Sequence, residues 1–196
     1  MANKWDWPWE AGSALPVLAL IFLTGGLAGC LLAALAGGDG TGQLRDYLVD
    51  YLSLAGQSLD PAGFWVLLWD HLRDLLAVLV LSMTALGTVG LPVLFAVRGF
   101  FFAFSVGCFC RVFGASGLLP AFALFGLSAL LWVPSLFLAG VPGMTRSRRL
   151  LSGGGQTSLG VFWARLSLCV GLILAAALAE RWVAPVLLRA AARVVL

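Results

Sequence analysis

Charge is scarce in this sequence of 196 residues. Only 11% of the residues are charged, 12 basic and 9 acidic, whereas 61% are hydrophobic and the mean hydropathy is +1.01. Soluble domains carry about 25% charged residues, so the composition excludes a water-soluble globule, and the apolar content excludes a disordered chain. The basic residues form no long face of the kind that binds nucleic acid. The sequence therefore predicts an integral membrane protein.

Histidine and cysteine are also scarce, which limits the chemistry that the chain can perform. It has one histidine, His71, and four cysteines, none at the spacing of a zinc or redox pair. A zinc site needs three or four ligands, and a membrane-embedded nucleophile needs a histidine or aspartate beside it. Phosphate-binding loops and zinc-protease motifs are absent. We therefore predict no catalytic residues, no metal ligands and no cofactor, and hence not an enzyme.

Long apolar runs dominate what is present. A helix needs roughly 20 apolar residues to cross a bilayer, and the runs predict an all-α, polytopic membrane bundle that forms a single domain over residues 1–196. We expect about five transmembrane helices, together with interfacial amphipathic helices. The predicted spans cover residues 14–36, 75–90, 91–113, 118–141 and 159–179.

The segments between the spans predict the topology. Residues 1–13 carry three tryptophans and are predicted to be a cytoplasmic interfacial tail, whereas residues 37–74 are acidic and are expected outside. Residues 144–158 hold several arginines followed by glycines, which predicts a cytoplasmic loop by the positive-inside rule. Residues 182–196 are too short for a straight crossing, and we expect an interfacial or re-entrant helix there.

The external segment contains a candidate docking surface. Apolar side chains recur in it at helical spacing, with charged residues on the opposite face. This pattern is typical of a short amphipathic helix that lies on a membrane or on a partner protein. The candidate docking residues are Leu44, Tyr47, Leu48, Tyr51 and Leu52.

Arg98 is the charge that lies deepest within an apolar run. Charged residues inside spans usually face the protein interior or a watery cavity and are functional candidates. The alternative is that the side chain snorkels to the cytoplasmic headgroups, and the sequence leaves both open. Gly99, Ala103 and Gly107 follow at four-residue intervals, which predicts a smooth helix face for close packing.

The same region carries a resemblance to a known family. It begins with a helix-break motif and continues with a basic residue, a glycine and a glycine–phenylalanine pattern, where Ala103 replaces one glycine. This arrangement resembles the stage II sporulation protein M family, and the likeness extends over nearly the whole chain, being strongest over residues 86–141. The residues that carry it are Gly87, Gly90, Pro92, Arg98, Gly99, Phe104 and Gly107. Phe125, Gly126 and Leu127 stand where family members often have a Pro-Gln-Asn element.

The resemblance implies a non-enzymatic membrane scaffold of the engulfment machinery in endospore-forming bacteria. It implies a multi-pass protein of the bacterial cell membrane, in the mother-cell membrane if the protein acts in sporulation. Its partners would be the peptidoglycan-degrading stage II sporulation proteins D and P, besides the lipid bilayer, with homo-oligomerisation left open. Two alternatives stay open: a permease-like transporter subunit, and a related protein of envelope maintenance.

Overall fold

The computed structural model describes residues 11–35, 42, 45–46, 49–50, 61–151, 159–183 and 186–187. Every element in these ranges is helical, so the predicted all-α class is confirmed for them. The longer helices are α1 (Ala11–Leu35), α2 (Pro61–Ser82), α3 (Gly87–Phe113), α5 (Leu127–Leu151) and α6 (Leu159–Trp182). Between α3 and α5 lie a 3₁₀ turn (Gly114–Gly117), the single turn α4 (Leu118–Ala121) and a π-helix (Phe122–Gly126).

Three of these helical stretches are long and apolar enough to cross a membrane. They cover Ala14–Leu35, Gly87–Phe113 and Phe122–Leu151. Within the described residues, the predicted count of five spans is not confirmed. The structure thus supports a helical membrane protein with three candidate crossings.

The turn between α2 and α3 lies earlier than the sequence predicts. α2 ends at Ser82 and α3 begins at Gly87, so the expected break at Gly90 and Pro92 falls inside the first turns of α3. The Gly90 amide donates a hydrogen bond to the Leu86 carbonyl at 2.8 Å, which keeps this end helical. Proline fixes φ at a value that a helix accepts, so Pro92 continues α3 at the loss of one backbone hydrogen bond.

α5 is longer than the predicted span, which ends at residue 141. The helix continues to Leu151, so residues 144–151 of the predicted cytoplasmic loop are helical. Arg148 and Arg149 occupy its last turn, where the negative end of the helix dipole stabilises cations. Because the helix dipole stabilises these two arginines, residues 144–151, which were predicted to form a loop, continue the helix.

α1 and α3 run parallel and pack closely along their lengths. Gly99 faces the Phe22 carbonyl, a Cβ on Gly26 would lie 3.6 Å from the Ala103 Cβ, and Gly107 faces Ala33. Residue numbers rise together on both helices, which defines the parallel direction. Small residues allow two backbones to approach this closely in a bilayer, where packing replaces the hydrophobic effect between helices.

Two of the three apolar clusters among the described residues join the remaining helices to the bundle. The first joins α1, α2, α3 and α5, and Phe95 and Leu136 lie at its centre. The second joins α2 to α6, where Leu75 packs with Cys169 and Ile173. α2 therefore lies between α3, α5 and α6, and this position places its polar residues beside three neighbouring helices.

Candidate functional site

An ion pair between α2 and α3 is the main polar feature of the bundle. The Arg98 guanidinium pairs with the Asp74 carboxylate through Nη2 and Oδ1. Only 7% of the Asp74 side chain is exposed, compared with 29% of the Arg98 side chain. The guanidinium carbon also lies 5.8 Å from the centre of the Trp132 ring on α5, within the range of a cation–π interaction. Arg98 thus links three helices.

A second polar contact joins α2 to α6, one turn from the first. His71 Nε2 lies 3.4 Å from Glu180 Oε1, and both side chains are largely buried. Nε2 makes no hydrogen bond within the described part of the chain, so the two side chains are neighbours without a formed hydrogen bond. His71 and Asp74 stand three residues apart and therefore share one face of α2.

A third pair lies on the outside of α2. Arg73 Nη2 is 3.8 Å from Asp70 Oδ1, and these side chains are 62% and 59% exposed. Of the four polar side chains in this part of α2, His71 and Asp74 are buried against neighbouring helices, whereas Asp70 and Arg73 are largely exposed.

This inner cluster is suited to holding helices together. Asp74 faces the Arg98 guanidinium and His71 lies beside the Glu180 carboxylate. Ionisable residues inside membrane proteins usually face one another across helices in this way. Within the described residues, no group of three or more His, Cys, Asp or Glu side chains is arranged to hold a metal ion.

The sequence marks Arg98 as a candidate but does not identify Asp74 as its partner. It assigned Asp74 to the end of the external segment 37–74, whereas the structure buries this carboxylate against α3. A signal was available, because α2 continues as a helix on both sides of Asp70–Asp74 and needs an interior face for its charges. The sequence could not show which helix faces Asp74.

The small residues that follow Arg98 on α3 pack against α1. A Cβ added to Gly99 would overlap the Phe22 carbonyl, and one added to Gly107 would lie 2.7 Å from the Ala33 Cβ. On the other helix, a Cβ at Gly25 would overlap the Ala96 carbonyl. Gly99 and Gly25 therefore require glycine because two backbones meet there, whereas Gly107 leaves room for the Ala33 methyl group.

The glycines of the predicted break contact α2 and α5. A Cβ at Gly87 would overlap the Leu81 carbonyl and the Ser147 hydroxyl, and one at Gly90 would lie 2.6 Å from the Leu81 Cδ2. The Ser147 hydroxyl also donates a hydrogen bond to the Leu81 carbonyl at 3.4 Å. Gly87 and Gly90 thus let the start of α3 lie directly against the end of α2.

Arg111 caps α1 from the neighbouring helix. Its Nη1 donates hydrogen bonds to the carbonyls of Ala33, at 2.9 Å, and Ala34. These are among the last carbonyls of α1, which have no partner within the helix. Arg111 therefore satisfies carbonyl groups at the C-terminal end of α1 and links that end to α3.

The candidate docking residues Leu44, Tyr47, Leu48, Tyr51 and Leu52 lie outside the described residues.

Comparison of the chain with protein families, with curated proteins and with solved structures finds no match. The argument for function therefore rests on the sequence pattern and on the arrangement of the helices.

Proposed function

We propose that the protein is a non-enzymatic membrane scaffold that recruits or organises peptidoglycan-remodelling enzymes during engulfment in endospore formation. The observation that supports it best is the packing of the residues that carry the family resemblance. Gly87, Gly99 and Gly107 lie against neighbouring helices, and Arg98 pairs with Asp74. Residues used for packing and interhelical pairing suit a protein that presents a surface rather than one that performs chemistry.

The proposal includes five membrane crossings, with α2 and α6 added to the three candidate spans. α2 lies beside α5 and α6 from Leu68 to Ser82, a stretch of roughly 20 Å at 1.5 Å per residue. Its polar side chains Asp74 and His71 lie beside Arg98 and Glu180 within the bundle. The arginines near the end of α5 would then lie in the cytoplasm, and the acidic segment between α1 and α2 would lie outside.

The proposed partners are the peptidoglycan-degrading stage II sporulation proteins D and P. They would dock on the external segment through Leu44, Tyr47, Leu48, Tyr51 and Leu52. The chain would then act in the mother-cell membrane and position the two enzymes at the cell wall.

The test is affinity purification of the tagged full-length protein from sporulating cells in a mild detergent. Both hydrolases should co-purify with the wild type and be lost from Tyr47→Glu/Leu48→Glu. The matched control is Arg45→Glu, which changes charge on the opposite face of the same predicted helix and should retain both. Equal recovery of the hydrolases with Tyr47→Glu/Leu48→Glu and with wild type would refute docking at this surface.

A permease-like subunit is the second candidate, and the charges inside the bundle favour it. His71, Asp74, Arg98 and Glu180 form contacts between helices, and intramembrane ionisable groups often line substrate or ion pathways. The same purification separates the two candidates, because a transporter subunit would bring down a nucleotide-hydrolysing protein in place of the two hydrolases.

A further inference from the structure

The charged part of α2 lies at mid-depth of the apolar helices. Gly99, beside Arg98, faces Phe22 and Gly26 near the centre of the candidate span Ala14–Leu35. Arg98 itself stands about 16 Å along α3 from its start, at 1.5 Å per residue. Since Asp74 pairs with Arg98, α2 has its polar residues at this same level. The inference below rests on the proposed crossing of the membrane by α2.

At this depth, α2 also carries two charged side chains that are largely exposed. Asp70 and Arg73 are more than half exposed and contact each other at 3.8 Å. Apolar side chains that are also exposed flank them along the helix, with Trp69 on one side and Leu76 on the other. We call these four residues, Trp69, Asp70, Arg73 and Leu76, the α2 stripe.

Acyl chains do not solvate the charged side chains Asp70 and Arg73 of the α2 stripe. Asp70 lies only about 6 Å along the helix from Asp74, at 1.5 Å per residue, whereas headgroups begin about 15 Å from the centre of a bilayer. Charged side chains in spans face protein or water rather than acyl chains. The exposed pair therefore needs a polar neighbour outside the bundle.

We propose that the α2 stripe is the interface between two copies of this chain. Copies in one membrane have the same orientation, so a two-fold axis along the membrane normal places the same stripe on both sides of the contact. Asp70 and Arg73 are three residues, or about 4.5 Å, apart along the axis. Asp70 of each copy can then pair with Arg73 of the other, in two symmetric ion pairs.

The sign of the charges distinguishes a second copy from other occupants. The stripe carries one acid and one base, which is complementary to itself, whereas an acidic or basic partner would repel one of the two. Trp69 provides a large, rigid contact surface of the kind that is enriched at interfaces. A two-fold contact thus satisfies both charges with the residues that the chain already has.

The test measures association of the full-length chain in lipid bilayers, by single-molecule photobleaching across a range of protein densities. Wild type should dimerise, and Asp70→Arg and Arg73→Asp should each weaken association about tenfold or more by placing like charges opposite one another. Differently tagged Asp70→Arg and Arg73→Asp copies, when expressed together, should associate with each other. That rescue excludes misfolding as the cause of the losses.

Arg148→Glu is the matched control, because it reverses an exposed charge on α5 away from the stripe, and it should dimerise as wild type does. A monomeric wild type would overturn the proposal and indicate that the chain's own remaining segments or water cover the stripe. Dimerisation of both single variants at wild-type strength, or failure of the mixed pair to associate, would also overturn it. Recovery of the two hydrolases is measured separately, so either proposal can fail alone.

Discussion

Removing Arg98 should cost the protein more stability than removing its partner. In Arg98→Met the Asp74 carboxylate, which is 7% exposed, is left buried without a counter-charge. Breaking a buried pair in this way costs about 3–5 kcal/mol. In Asp74→Asn the Arg98 guanidinium loses its counter-charge. Its side chain, however, is 29% exposed and long enough to move toward a headgroup region. We therefore expect a smaller loss, about 1–3 kcal/mol.

The double variant separates pairing from packing. Replacing both partners by apolar residues removes the charges together, and such replacements are often neutral or stabilising. We expect Asp74→Leu/Arg98→Met to lie within about 1 kcal/mol of wild type, or above it. Its recovery relative to Arg98→Met would show that the lost stability comes from the orphaned carboxylate.

The measurement is thermal unfolding in a mild detergent, followed by the fluorescence of the eight tryptophans. For a chain of this size the expected loss in Arg98→Met corresponds to a fall in Tm of roughly 6–20 °C. Arg148→Met, an exposed arginine on α5, is the control and should change Tm by no more than a few degrees, about 1 kcal/mol or less. If Arg98→Met unfolds at the same temperature as the control, the ion pair does not stabilise the bundle.

Three further changes test the packing of the helices in the same assay. Gly99→Ala would place a methyl group against the Phe22 carbonyl and should cost about 1–3 kcal/mol, whereas Gly171→Ala, with open space around it, should be neutral or stabilising by up to about 1 kcal/mol. Arg111→Met removes the donor to the last carbonyls of α1 and should cost about 1 kcal/mol. If this variant unfolds at the wild-type temperature, Arg111 does not cap α1. Trp132→Leu removes the ring beside Arg98 and should cost about 3 kcal/mol or more as a large-to-small change. A fall in Tm no larger than that of Arg148→Met would contradict its role in the core.

The helical class and the close packing beside Arg98 follow from local pattern. The apolar runs predict membrane helices, and the four-residue spacing of Gly99, Ala103 and Gly107 predicts one smooth face, which in the structure lies against α1. Periodicity shows which residues share a face, because it depends only on the geometry of one helix. Periodicity is therefore sufficient to predict the helical class and the packing face beside Arg98.

The ends of helices and the partners of charged residues were harder to predict. Gly90 and Pro92 resemble a break in sequence, yet hydrogen bonds from the preceding turn keep that segment helical. The pairing of Arg98 with Asp74 depends on which helices become neighbours in the bundle. This is a property of tertiary packing, and a single sequence shows it only as two unmatched charges.

The parallel contact of α1 with α3 has a consequence for the order in which the protein is made. α1 ends at Leu35, but the partner for its glycine face is complete only at Phe113, roughly 80 residues later. At about 5–20 residues per second, α1 is in the membrane for about 4–16 s before synthesis of α3 ends. During that interval Gly25 and Gly29 are open to lipid or to another α1, and any factor that shields a nascent helix would act on this face.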